Sequence, residues 1–175
     1  PPELGDTSAL AITVAHFLLE DGRFSLHNFR KSPVKITPDD ELDYHHMEVF
    51  NINIGVNNFS FVNDLFKGQV DRIAFNDSSG FQLERLSADE AMVSPKGVIL
   101  NCFELVTPYT YLGDTLALRY KTYRDFESFV DEVRIDGRLH HSFVALRDIM
   151  VFAPALKQNA FFSNNRNTTL RCQGD

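Results

Sequence analysis

The chain contains no tryptophan and only two cysteines, Cys102 and Cys172, and each shortage removes a class of protein. Two cysteines cannot build a disulfide framework, and they lack the paired spacing of a zinc site. Without tryptophan, the indole platform on which many sugar-binding faces stack their ligand is missing. No apolar run approaches the roughly 18 residues of a spanning helix. The opening Pro1-Pro2-Glu3-Leu4-Gly5 has no signal-peptide core, so a soluble chain is expected, a processed product or an excised piece. Basic clusters are absent too: 17 Lys plus Arg face 24 Asp plus Glu for a net charge of −7, which argues against a phosphate-tracking surface and a nucleic-acid partner. Phosphate-cradling loops, dinucleotide fingerprints, zinc-protease motifs and nucleophile elbows are all missing, so catalytic residues, cofactor and metal are each expected to be none.

What is present is a pattern of strands and turns. At 175 residues the chain suits one domain, expected over 1–156, followed by a polar, Asn-rich tail over 157–175. Phe50, Ile52, Ile54 and Val56 alternate with Asn51, Asn53, Gly55 and Asn57, which predicts a strand with four apolar side chains on one face. Val98 to Val106 is almost continuously apolar, as in a strand covered on both faces, and Leu116, Leu118 and Tyr120 alternate with polar or small neighbours. Val70 to Phe75 and Phe81 to Leu86 read as strands around the turn-forming Asn76-Asp77-Ser78-Ser79-Gly80. Asp21-Gly22 and Asp136-Gly137 each lie between apolar stretches and predict tight hairpins, pairing residues 9–19 with 23–30 and 131–135 with 139–146. Short helices are expected after Ser87, whose Ser87-Ala88-Asp89-Glu90 has a capping-box pattern, over Phe126 to Val133 behind an Asp125 cap, and at Thr37-Pro38-Asp39-Asp40. The fold class expected is mainly β: an antiparallel two-sheet β-sandwich of jelly-roll or Greek-key type with a few short helices.

Two segments carry candidate partner-binding residues. Tyr109 and Tyr111 fall in a loop between two expected strands, where an amphipathic ring suits recognition. Phe59, Phe61 and Phe66 lie in an Asn-rich connection with more apolar area than a solvated loop should hold, which reads as a covered crossover or an interface.

Two resemblances are local. His46-Met47-Glu48 with His140 or His141 resembles the two-histidine, one-carboxylate triad of double-stranded β-helix oxygenases, which implies non-haem iron and an oxoacid cosubstrate held by Arg147. The stretch Phe66-Lys67-Gly68-Gln69-Val70-Asp71-Arg72-Ile73 with Leu86-Ser87-Ala88-Asp89-Glu90 resembles laminin-G-like sandwiches, which implies a ligand-binding fold with calcium near Asp71 or Asp77.

The function expected is a noncatalytic interaction or assembly module that binds a protein partner or forms a homo-oligomer. The alternatives are a secreted carbohydrate-binding or adhesion module and the iron oxygenase. An extracellular or particle-surface location is favoured over the cytoplasm. A Cys102–Cys172 bridge would hold the tail if the chain folds in an oxidising compartment.

Overall fold

In a computed structural model, which describes residues 11–30, 45–122, 124, 125 and 129–174, the chain forms one antiparallel sheet of eight strands in the order β1 to β8. The strands are β1 (Ala11–His27), β2 (His46–Val62), β3 (Leu65–Asp77), β4 (Gln82–Ser94), β5 (Gly97–Val106), β6 (Tyr111–Arg119), β7 (Arg134–Ala145) and β8 (Thr169–Gly174). Helical segments are brief: α1 (Phe129–Glu132), α2 (Leu146–Phe152), a 3-10 helix (Pro154–Gln158) and α3 (Ala160–Asn164). The mainly β, antiparallel character is as expected, but the sheet is single and open rather than one half of a sandwich. Connectivity explains the difference. The links β2–β3, β3–β4, β4–β5 and β5–β6 each have room only for a tight turn, so every strand lies beside its chain neighbour. A second sheet needs long crossovers, as in a Greek key.

The tight turns are not at the expected Asp-Gly pairs. Residues 134–145 run as one strand through Asp136-Gly137, where a Cβ on Gly137 would approach the Thr115 carbonyl oxygen to 2.8 Å, so this glycine serves close strand contact. Residues 11–27 likewise run straight through Asp21-Gly22, with Asp21 at φ 51° in an irregularity of the β1–β2 register. The first true two-residue hairpin is at Asn63-Asp64, φ 51° and 61°, a pair of positive values that suits a type I′ turn. It joins β2 to β3, so Phe59, Phe61 and Phe66 lie in paired strands and not in a connection. The turn at 78–81 matches expectation, with the Ser79 N–H donating to Asp77 Oδ1 at 2.8 Å.

Helix expectations fare unevenly. Ser87-Ala88-Asp89-Glu90 lies inside β4, because its partners across both ladders override a local capping pattern. Helix α1 occupies only the end of the span expected behind Asp125. The Asp125 carboxylate instead closes a turn, accepting N–H bonds from Lys121 at 2.7 Å and Thr122 at 3.3 Å. Thr37-Pro38-Asp39-Asp40 lies outside the described residues. In the polar segment after Lys157 the chain builds α3 and then β8, whose Leu170, Arg171 and Cys172 pair with Val144, Phe143 and Ser142 of β7. Both cysteines are free thiols. Cys102 and Cys172 belong to strands three places apart, about 14 Å at ordinary strand spacing and too far for a bridge.

Candidate functional site

Residues directly opposite in an antiparallel ladder project from the same face, so the register assigns each side of the sheet. One row reads Ile12, Phe61, Phe66, Val93, Val98, Leu118 and Ile135, apolar across seven strands and about 29 Å long at 4.8 Å per strand. A second reads Leu19, Ile54, Ile73, Leu86, Leu105 and Leu112, and a third Phe17, Val56, Val70, Ala88 and Phe103. The opposite face is largely polar, with Phe50, Ile99 and Phe143 among its exceptions, and carries hydrogen-bonded side-chain ladders. His16 Nδ1 lies 2.6 Å from Asn57 Oδ1, Asn57 Nδ2 donates to Asp71 Oδ2 at 2.7 Å, and Asn101 Nδ2 donates to Glu90 Oε2 at 2.8 Å. Arg85 pairs with Glu104 and Arg23 with Glu48 on exposed strand surface.

Bulges give this two-faced sheet its curvature. Asp71-Arg72, Glu84-Arg85, Asp89-Glu90 and His140-His141 are consecutive exposed pairs inside strands, where strict alternation would send one of each inward. In β4 and β5 the irregularities fall opposite each other, at Asp89-Glu90 and Asn101-Cys102, so Ala88, Ala91, Leu100 and Phe103 all remain in one buried cluster without a break in register. The left-handed residues Asn51, Asn58, Cys102, Asp114 and His141 sit at such irregularities. Each extra residue lengthens the polar face, which bends the strands toward the apolar one and makes that face the inside of a trough. The same device corrects the expectation for β2: the slip at Asn51 places Phe50 opposite Asn76, on the face away from Ile54 and its partner Ile73.

Among the described residues, only one end of the trough is covered by a helix. Helix α2 brings Val151 against Phe81 and Leu83, with Ile73, Phe75, Leu86 and Leu105 around them, and Phe152 meets Phe81 edge-on at 5.1 Å. Elsewhere large side chains of the apolar face stay open to solvent, among them Ile12, Phe17, Phe24, Phe66 and Ile135, the last 54% exposed. The central strand β5 is therefore not covered on both faces as expected: Phe103 is buried, whereas Ile99 on the other side is exposed.

The covered end holds a polar pocket. Asp148 of α2 is buried, and its Oδ2 accepts the hydroxyls of Thr107 and Thr110, both at 2.6 Å. Thr107 Oγ1 in turn accepts the N–H groups of Tyr109 (3.1 Å) and Thr110 (2.9 Å), and Thr110 Oγ1 accepts that of Ala145 at 3.1 Å. This network fastens the β5–β6 turn to the start of α2, and beside it the Arg147 guanidinium lies 3.9 Å from the centre of the Tyr109 ring. Ser79, Arg147, Asp148 and Arg166 line the pocket together with Phe81 and Val151.

The sequence-predicted residues divide between these features. Phe59, Phe61 and Phe66 stack inside the trough, with Phe66 5.8 Å and 4.4 Å from the other two ring centres. Tyr109 stands at the pocket, while Tyr111 is on β6 beside Phe143 at 6.1 Å, its hydroxyl 3.4 Å from Glu104 Oε1. The oxygenase triad does not assemble. His46 and Glu48 belong to β2 and His140 to β7, five strands apart, and Glu48 pairs with Arg23 while His140 Nδ1 sits 2.6 Å from Asp114 Oδ2. Nor do the calcium candidates converge, because Asp71 accepts from Asn57 and Asp77 is buried in its turn. Among the described residues no group of three or more His, Cys, Asp or Glu is placed to hold a metal ion, and no helix is long and apolar enough to cross a membrane.

No family model, curated protein or solved structure matches this chain.

Sequence reasoning missed Ser79, Arg147 and Arg166 as neighbours. They come from a turn, a helix and the segment before β8, and only the fold brings them together.

Proposed function

We propose that the chain is a noncatalytic binding module whose working surface is the apolar inside of the trough, and that its ligand is the hydrocarbon of an elongated amphipathic molecule such as a lipid. The seven-strand apolar row supports this reading most directly. Ile12, Phe17, Phe24, Phe66 and Ile135 each keep between 37% and 54% of their surface wet, and covering them would contribute about 1 kcal/mol apiece, on the order of 5 kcal/mol together. A second copy laid face to face suits this surface poorly, since two concave faces meet at their rims and enclose a void. A flexible acyl chain fits a linear trough open at its sides.

The test is a titration with a fluorescent long-chain fatty acid, followed by Phe61→Asp and Phe66→Asp. Saturable binding that either substitution weakens at least tenfold, with strand content retained, supports the trough. A folded protein that leaves the probe in water refutes it, and capture of a protein ridge on the same residues would replace lipid by a protein partner.

The β1 edge favours a second reading, assembly with another copy. Among the described residues β1 pairs only with β2, and Ala11 to Leu19 contains neither lysine nor proline to guard its other edge. Strand addition there would extend the trough. Light scattering that finds only monomers at high concentration excludes it.

A further inference from the structure

The polar pocket at the α2 end shares two walls, Phe81 and Val151, with the closed end of the trough. Its remaining lining is of another kind. Arg147 and Arg166 bring two guanidinium groups to the lining and Asp148 one carboxylate, whose Oδ2 is already engaged by two threonine hydroxyls. Arg147 stacks over Tyr109, an arrangement that holds the guanidinium flat and keeps its N–H donors in the guanidinium plane, at the rim of the stacked ring. Ser79 belongs to the same lining and is 1% exposed, and its buried hydroxyl has no hydrogen-bond partner in the protein. A buried hydroxyl without a partner is costly, and an oxyanion in the pocket would satisfy it.

We propose that this pocket binds a phosphate-type anion. Resting on the trough reading, the anion is the head group of the amphipathic molecule whose hydrocarbon lies along the apolar rows. The guanidiniums would supply charge-assisted donors to its oxygens, and Ser79 a neutral one from the buried side. The two chemistries adjoin at Phe81 and Val151, where a ligand with a charged head and an apolar tail changes character.

Three probes separate the sources of such an anion: inorganic phosphate, a short-chain phosphatidic acid, and the matched uncharged diacylglycerol. Binding is followed by amide shifts at Ser79, Gly80 and Tyr109 and by calorimetry. Phosphatidic acid is expected to bind on the order of tenfold more tightly than diacylglycerol, the difference one charge-assisted contact makes. Arg147→Gln or Arg166→Gln should bring that ratio close to one, Arg147→Lys should restore part of it, and Ser79→Ala, which leaves both arginines in place, should lower it. Phosphate that shifts the same amides in wild type but not in Arg147→Gln supports the pocket even if neither lipid binds, and that pattern refutes the trough alone. Free phosphate binding as tightly as phosphatidic acid would identify an anion site that is not a head-group site, overturning the link to the trough. No phosphate shift at these amides, or a head-group preference untouched by all the substitutions, overturns the pocket proposal itself.

Discussion

Replacing Thr110 by valine isolates the hydrogen bonds that fasten the β5–β6 turn to α2, because the two side chains have nearly the same volume. Thr110 is 3% exposed, its hydroxyl donates to Asp148 Oδ2 at 2.6 Å, and its Oγ1 accepts the Ala145 N–H. The bond to the carboxylate contributes about 1.5–3 kcal/mol, and a buried Ala145 N–H left without an acceptor costs a further 1–3 kcal/mol or so. Allowing for partial relaxation, Thr110→Val should destabilise by roughly 3–5 kcal/mol in urea unfolding followed by circular dichroism. Asp148→Leu removes the acceptor of the same bond and keeps much of the side-chain volume. The double variant should then fall short of additivity by about 1.5–3 kcal/mol. A loss under about 1 kcal/mol for Thr110→Val, or strict additivity with Asp148→Leu, would refute the role assigned to this network.

Acid should act through two carboxylates. A hydrogen bond from His140 holds Asp114 below its ordinary 3.8, and the Lys121 N–H, helped by the Thr122 hydroxyl, does the same for Asp125. A depressed folded pKa contributes stability that is present above the unfolded value and lost as pH falls through the folded one. Unfolding midpoints should thus drop below about pH 3.8, and Asp114→Asn with Asp125→Asn should flatten that acid limb; an unchanged limb would contradict the assignment. Phe103→Ala removes a ring 1% exposed at the centre of the sheet and should cost about 3–5 kcal/mol in chemical denaturation. Gly137→Ala drives a Cβ to 2.8 Å from the Thr115 carbonyl and should cost about 1–3 kcal/mol, whereas a type I′ turn at Asp136-Gly137 would have made the substitution a problem of backbone strain without that clash. Under native conditions a thiol reagent should modify the exposed Cys102 readily; protection until unfolding would mean that this part of the polar face is covered.

The strand content was legible in the sequence because alternation is a local property: Ile52, Ile54 and Val56 announce a strand with one apolar face whatever lies opposite. The turn at Asn76 to Gly80 was legible for the same reason, since its residues favour tight backbone. Asp-Gly was misleading, because the left-handed geometry that suits a hairpin also suits an irregularity inside a continuing strand. Only the presence of a long partner, β2 beside Asp21 and β6 beside Asp136, distinguishes the two. The bulges that move Phe50 off the face of Ile54 are likewise set by pairing across strands. Above all, an apolar face states that something must cover it, not what does. Whether a second sheet or an open trough follows depends on how the connections route the strands, and so does the meeting of Ser79, Arg147 and Arg166 at its end. Local composition marked the strands and most of their two faces; long-range pairing moved Phe50 to the other face and, among the described residues, left much of the apolar face uncovered.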